Sequence, residues 1–238
     1  MIVGSKVYYD INNLYIPKDV KGDINYQKSF SATLTIIVRD KDGKVINKYK
    51  QKSHSPTANF IGIMLPYTWF IITGNQWTIT TTSNTTFNYY QSLTGVFYGI
   101  LYPNNSYGNP SYIQNILVGS SSQSNSYNAY NLNAPISNGS GTGQLIYGSI
   151  NIPSNITING NQAYFIISQS YTNQSGATID IKEVGIVIYF SIYASQGPGY
   201  GGSGSSGSIL VWYDVLSSPI SLSNGQSATI YYTFSINA

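Results

Sequence analysis

The chain has 238 residues and no cysteine, which excludes a disulfide framework and a thiolate metal centre; its core must form by packing and backbone ladders alone. Only 8% of residues are charged, against roughly 25% in an ordinary soluble domain. Residues 1–52 hold ten Lys/Arg against five Asp/Glu, a balance of +5, while the remainder sets Lys182 against Asp180, Glu183 and Asp214, a balance of −2.

Between Lys52 and Asp180 polarity comes from Ser, Thr, Asn, Gln and Tyr. These groups do not titrate between strongly acid and neutral pH, and acid denaturation largely reflects protonation of paired carboxylates. The composition therefore predicts a protein built for an acidic exterior. Met1 to Lys6 lacks the features of a secretory signal. The longest apolar run, Phe60 to Ile72, is broken by Gly62, Pro66 and Thr68, so no membrane span is expected.

In chain order, residues 1–28 mix tyrosines, acids and lysines and read as an N-terminal arm with short strands; residues 29–238 read as one β-sandwich domain. The first clear core strand is 29–39, with Phe30, Ala32, Leu34, Ile36 and Val38 on one face. Asp42-Gly43 turns the chain into a returning strand, 44–51. The Asp40-Lys41-Asp42-Gly43 run lacks the later carboxylate of a calcium loop, so it reads as a plain turn. Ser55 as N-cap, Pro56 at the first helical position and Pro66 as a stop predict one short helix near residues 55–65.

Short strands are expected at 67–72, 76–82, 95–101, 112–118, 144–150 and 152–158, separated by turn-rich segments. In the last third, Ala163, Phe165 and Ile167 alternate, as do Ile179 and Ile181; the phase then slips at Lys182-Glu183 and resumes as Val184, Ile186 and Ile188. A slip of one residue would flip every later side chain, so a β-bulge is expected there. Residues 196–207 form a glycine-serine loop without a GK[ST] motif, which argues against a phosphate cradle. Strands at 209–215 and 227–236 close the sheet, with turns at Pro219 and at Asn224-Gly225. The pattern is all-β: an antiparallel β-sandwich of jelly-roll type.

Candidate chemistry is sparse. His54 is the only histidine, so zinc and Ser-His-Asp chemistry lack partners. Asp180, Glu183 and Asp214 could form a glycosidase-like pair, but a structural arrangement around Lys182 is the stronger reading. Lys44, Lys48 and Lys50 share one face of their strand and could meet nucleic acid or an anionic surface. Edge strands commonly carry lysine to prevent unwanted pairing, so that reading is preferred and a nucleic-acid partner is not expected. Trp69, Trp77 and Trp212, with 23 tyrosines, supply surfaces for interfaces or glycans. Sequons at Asn84, Asn104, Asn138, Asn155 and Asn173 are possible glycosylation sites. No catalytic, cofactor or metal site is expected.

Several runs carry a resemblance: Ile116-Leu-Val-Gly-Ser, Gly143-Gln-Leu-Ile-Tyr, Tyr171-Thr-Asn-Gln-Ser-Gly, Ile181-Lys-Glu-Val-Gly, and Trp212-Tyr-Asp-Val-Leu-Ser-Ser-Pro-Ile with Asn224-Gly-Gln. Over about two thirds of the chain they resemble virion structural proteins of phages and environmental viruses, in which Tyr213 has arginine as its frequent counterpart. The Tyr/Asn/Ser-rich, charge-poor composition is similar to coat proteins of viruses infecting thermoacidophilic archaea. The resemblance implies a self-assembling capsid, turret or tail protein whose partners are other copies and other virion proteins, in the virion. Alternatives are a carbohydrate-binding or host-adhesion module and an extracellular archaeal filament subunit.

Overall fold

The structure, a computed structural model, describes residues 30–53, 56–57, 77–84, 86–89, 112–121, 128–192 and 205–237. Among them are eleven strands and no helix: β1 Phe30–Arg39, β2 Val45–Lys52, β3 Trp77–Thr80, β4 Thr86–Tyr89, β5 Tyr112–Gly119, β6 Ile146–Tyr147, β7 Thr157–Asn159, β8 Gln162–Thr172, β9 Ile179–Ile192, β10 Ser205–Leu222 and β11 Ser227–Asn237. Every strand pair is antiparallel.

The larger sheet runs β2-β1-β11-β8-β6, with β7 also on β8; a smaller sheet runs β10-β9-β5, and β3 pairs with β4. Alternation in β1 and β11 does what its period dictates. Ala32, Leu34, Ile36 and Val38 are buried, as are Ala228, Ile230, Tyr232 and Phe234, while the intervening residues face outward. These side chains share one core with Ile116 and Val118 of β5, Val184 and Ile186 of β9, and Ile209 and Trp212 of β10. Each fully buried aliphatic side chain contributes about 1.5–3 kcal/mol.

The smaller sheet is buried on both faces. Its outer side is covered by the 128–136 segment, where Ala129 and Leu132 pack on Val187, Leu210 and Tyr213. The cover sits so close that a Cβ on Gly185 would stand 2.5 Å from Leu210 Cδ1 and 2.9 Å from Leu132 Cδ1, so any larger residue must displace both leucine tips. The outer face of the larger sheet has no such cover among the described residues.

The phase slip in β9 is present: Ile179 and Ile181, then Val184, Ile186 and Ile188, all enter the same core. The partner strand absorbs most of the irregularity, since Ile181 pairs with Ile220 and Glu183 with Val215, setting residues 216–219 of β10 against Lys182 alone. Pro219 therefore lies inside β10 instead of turning the chain. Gly43 and Gly225 do turn it, with φ of 83° and 85°.

The expected helix does not open at Pro56. That residue bridges to Trp212, and the Thr57 amide donates to Val211 O at 3.1 Å, so residues 56–57 lie along β10. Proline has no N–H to offer a ladder and suits this edge position. Residues 58–65, the arm at 1–28, and the expected strands at 67–72 and 95–101 lie outside the described residues. The expected strands at 144–150 and 152–158 shrink to β6 and β7, of two and three residues.

Candidate interaction surfaces

The late acids sit in two separate buried polar clusters. Glu183 is fully buried; its Oε1 accepts the Ala134 amide at 2.9 Å and its Oε2 accepts the Tyr213 hydroxyl at 2.8 Å. Asp214 is fully buried as well, and its Oδ2 accepts hydroxyls from Ser53 at 2.5 Å and Tyr232 at 2.9 Å. Ser53 Oγ in turn accepts the Trp212 indole N–H. Tyr213 and Asp214 are successive strand residues, so they point to opposite faces of the smaller sheet. Glu183 follows Tyr213 toward the 128–136 segment and Asp214 points into the shared core.

Two carboxylates on opposite faces do not flank a common cleft, which is the geometry a glycosidase pair needs. Nor do the acids gather round Lys182: Asp180 accepts the Ser221 hydroxyl at 2.6 Å, and the one ion pair among the described residues is Lys41–Asp42. Tyr213 therefore serves Glu183, and the hydroxyls of Ser53 and Tyr232 serve Asp214. No group of three or more His, Cys, Asp or Glu among the described residues is placed to hold a metal ion. No helix there is long and apolar enough to cross a membrane.

Two buried tyrosines, Tyr171 and Tyr232, and the half-buried Tyr147 fasten the sheets. Burial, with a smaller contribution from Tyr147, pushes the Tyr171 hydroxyl well above its ordinary value, and that hydroxyl donates to Ile116 O. Burial and then Asp214 push Tyr232 up in the same direction. Burial moves Tyr147 up to about 12, and its hydroxyl donates to Ile136 O at 2.7 Å.

Most sheet edges are closed. The outer edge of β10 meets Pro56, Thr57 and Thr82; the outer edge of β5 meets residues 134–136 and side chains from β8. Beyond β8 lie β6, β7 and the Asn151 bridge to Ser168. Along the outer edge of β2 no described residue pairs. This is the edge that carries lysine, as the protective reading expects. The grouping of lysines differs from expectation, however. Val38 pairs with Asn47 and Arg39 with Val45, so Ile46 is an extra residue and puts Lys44 out of phase. Lys44 belongs to the turn, its amide donating to Asp40 Oδ1 at 2.9 Å, and Lys52 joins Lys48 and Lys50 on the outward face.

An exposed apolar row crosses the end of the larger sheet on its core-side face. Ile158 pairs with Ala163, Ala163 with Ile236, and Ile236 with Phe30. Ile158, Ile236 and Phe30 are 77%, 50% and 52% exposed. Behind them Phe165 stacks on Phe234 at 5.0 Å and Phe30 stacks on Phe234 at 6.2 Å. Sequence reasoning missed this row because it needs the register of four strands.

Of the aromatic candidates, Trp212 is corrected: it is buried, edge-on to Phe234 at 5.1 Å, and offers no glycan surface. Trp77 begins β3, and Trp69 lies outside the described residues. Asn173 is corrected too, because its fully buried amide donates to Ala177 O and Leu222 O at 2.8 and 2.6 Å. Asn84, at φ 60°, Asn138 and Asn155 are exposed; Asn104 is outside the described residues. Compared with known protein families, with curated proteins and with solved structures, the chain matches none.

Proposed function

We propose that the chain is a structural component of a virus particle, a β-sandwich of jelly-roll type that assembles with copies of itself and with other virion proteins. The observation that carries this reading is the exposed row Ile158, Ile236 and Phe30, an extension of the core with no cover from the described residues. Contiguous exposed apolar surface on a folded chain marks an interaction site. Burying it against a neighbouring copy extends the aromatic stack across a subunit boundary.

Two further features support the reading. The chain passes from the larger sheet at β8 to the smaller at β9 and β10 and back at β11, which lies beside β1, an arrangement in keeping with a jelly roll. The charge-poor composition suits a coat exposed to an acidic exterior after assembly in the host cytoplasm, and the sequence resemblance points to archaeal and phage virion proteins. The burial of Trp212 removes an aromatic on which the host-adhesion reading depended.

The test is assembly of purified protein followed by mass photometry and negative-stain electron microscopy. Wild-type chain forms ordered oligomers, and Ile158→Lys with Ile236→Lys abolishes them while leaving the thermal melt near that of wild type. A wild-type chain that stays monomeric from pH 3 to pH 7, or a double variant that assembles normally, contradicts the reading.

A further inference from the structure

The outer face of the larger sheet has a composition that edge protection does not explain. Its four long strands, β1, β2, β8 and β11, carry Arg39, Lys48, Lys50 and Lys52 and no Asp or Glu. The register aligns this face in rows. Lys50 pairs with Thr35, Thr35 with Tyr231, and Tyr231 with Ser168; on either side, Lys48 opens the row through Ile37 and Lys52 the row through Thr33. Lysines thus form a column along one margin, and an uncharged field extends from it, mostly hydroxyls with Tyr231 at its centre and with Ile37 and Ile166 in the flanking rows.

We propose that this face binds single-stranded nucleic acid, with phosphates along Lys48, Lys50 and Lys52 and bases laid across the sheet toward Tyr231. Alternate residues of a strand repeat at about 6.8 Å, close to the spacing of successive phosphates in an extended single strand. Tyr231 lies two strands from Lys50, about 10 Å across the sheet, a span that one nucleotide bridges from phosphate to base. A basic margin tracking the backbone beside an aromatic platform is the general means of holding single strands without sequence preference. Double-stranded nucleic acid keeps its bases stacked and gains nothing from Tyr231. The half-buried Thr35 and Ser168 hydroxyls offer hydrogen bonds to sugar and base edges. The Lys48, Lys50 and Lys52 ammonium groups face outward without an ion pair among the described residues, so phosphate meets no internal competitor. The inference stands on this face alone and does not rest on the assembly reading.

The experiment is fluorescence anisotropy of a labelled oligo-dT 12-mer with the full chain, in a salt series, with unlabelled heparin fragment and polyglutamate as competitors. Three phosphate contacts to a single strand predict a slope of log affinity on log salt of about −2, so affinity falls about 20-fold from 50 to 200 mM salt. Lys48→Gln with Lys50→Gln and Lys52→Gln abolishes the salt-dependent binding. Tyr231→Thr, which matches its neighbours and keeps β-propensity, weakens it about 10-fold at unchanged slope. Circular dichroism melts check that both variants fold. No binding of the 12-mer, binding indifferent to the triple variant, or heparin and polyglutamate competing as well as oligo-dT with Tyr231→Thr neutral, would each overturn the proposal; the last marks a generic anion surface.

Discussion

The backbone amide of Ile116, on the edge strand of the smaller sheet, donates to Gln169 Oε1 of the larger sheet at 2.7 Å. Gln169 spends its Nε2 on Gly148 O at 2.9 Å and Asn115 Oδ1 at 3.1 Å, and the neighbouring Tyr171 hydroxyl donates to Ile116 O. One glutamine therefore closes an edge that would otherwise present unpaired backbone groups. Gln169→Leu leaves the Ile116 amide and Gly148 carbonyl without these partners in a buried setting. It is expected to cost about 1–3 kcal/mol per orphaned group, read as a lower urea midpoint at unchanged slope.

Glu183 makes a sharper comparison, because its partners are donors that an amide can also serve. Glu183→Gln retains an acceptor for Ala134 N, and the Tyr213 hydroxyl can rotate to accept from the new amide, so a change below about 1 kcal/mol is expected. Glu183→Ala removes the carboxylate that both donors reach and leaves a void, for a loss of about 3 kcal/mol. Gly119→Ala should behave like a partial version, since its Cβ would stand 2.3 Å from Glu183 Oε1. Equal melts for the Gln and Ala variants would show that the cluster holds nothing together.

The pH dependence of stability should lie at the alkaline end. Tyr147, Tyr171 and Tyr232 are held above the ordinary tyrosine value of 10.0, Tyr147 at about 12. The folded state favours their neutral forms, so their contribution is intact below pH 10 and is lost as the pH rises through the raised values. Thermal midpoints should fall steeply between pH 10 and 12. Between pH 7 and 3 they should fall less than at the alkaline end, because only eight side chains of the chain are carboxylates and the one ion pair among its described residues is exposed. A steep drop across the acid range would contradict the acid-exterior account.

Accessibility separates the sequons. Peptide mapping of protein recovered from its native host should find no glycan on Asn173, whose amide is occupied on both N–H bonds, whatever is found on exposed Asn84, Asn138 and Asn155. A sugar on Asn173 would require that 173–177 and 222 part from one another in the folded protein.

The sequence was most informative where one face is core and the other wet. Alternation alone located β1, β8 and β11, and a single phase slip located the irregularity in β9. It failed where two irregularities compensate. The excess at 216–219 lets Pro219 continue within β10, and the extra Ile46 removes Lys44 from the lysine face and admits Lys52. Both depend on pairing with another strand, which no local pattern encodes. Trp212 misled for a related reason: an indole N–H invites a polar surface, but Ser53 supplies its partner inside the core. The candidate surfaces needed register, because the apolar row through Ile236 and the lysine rows through Thr35 draw each residue from a different strand.

The central claim is that this chain builds a particle, and it is tested most directly by peptide mapping and electron microscopy of particles purified from the culture whose genome encodes it. The account predicts the chain as a stoichiometric component, with density fitting two facing antiparallel sheets and with Phe30, Ile158 and Ile236 at a subunit boundary. Particles that lack the chain, while it persists as a free monomer in the same culture, would contradict it.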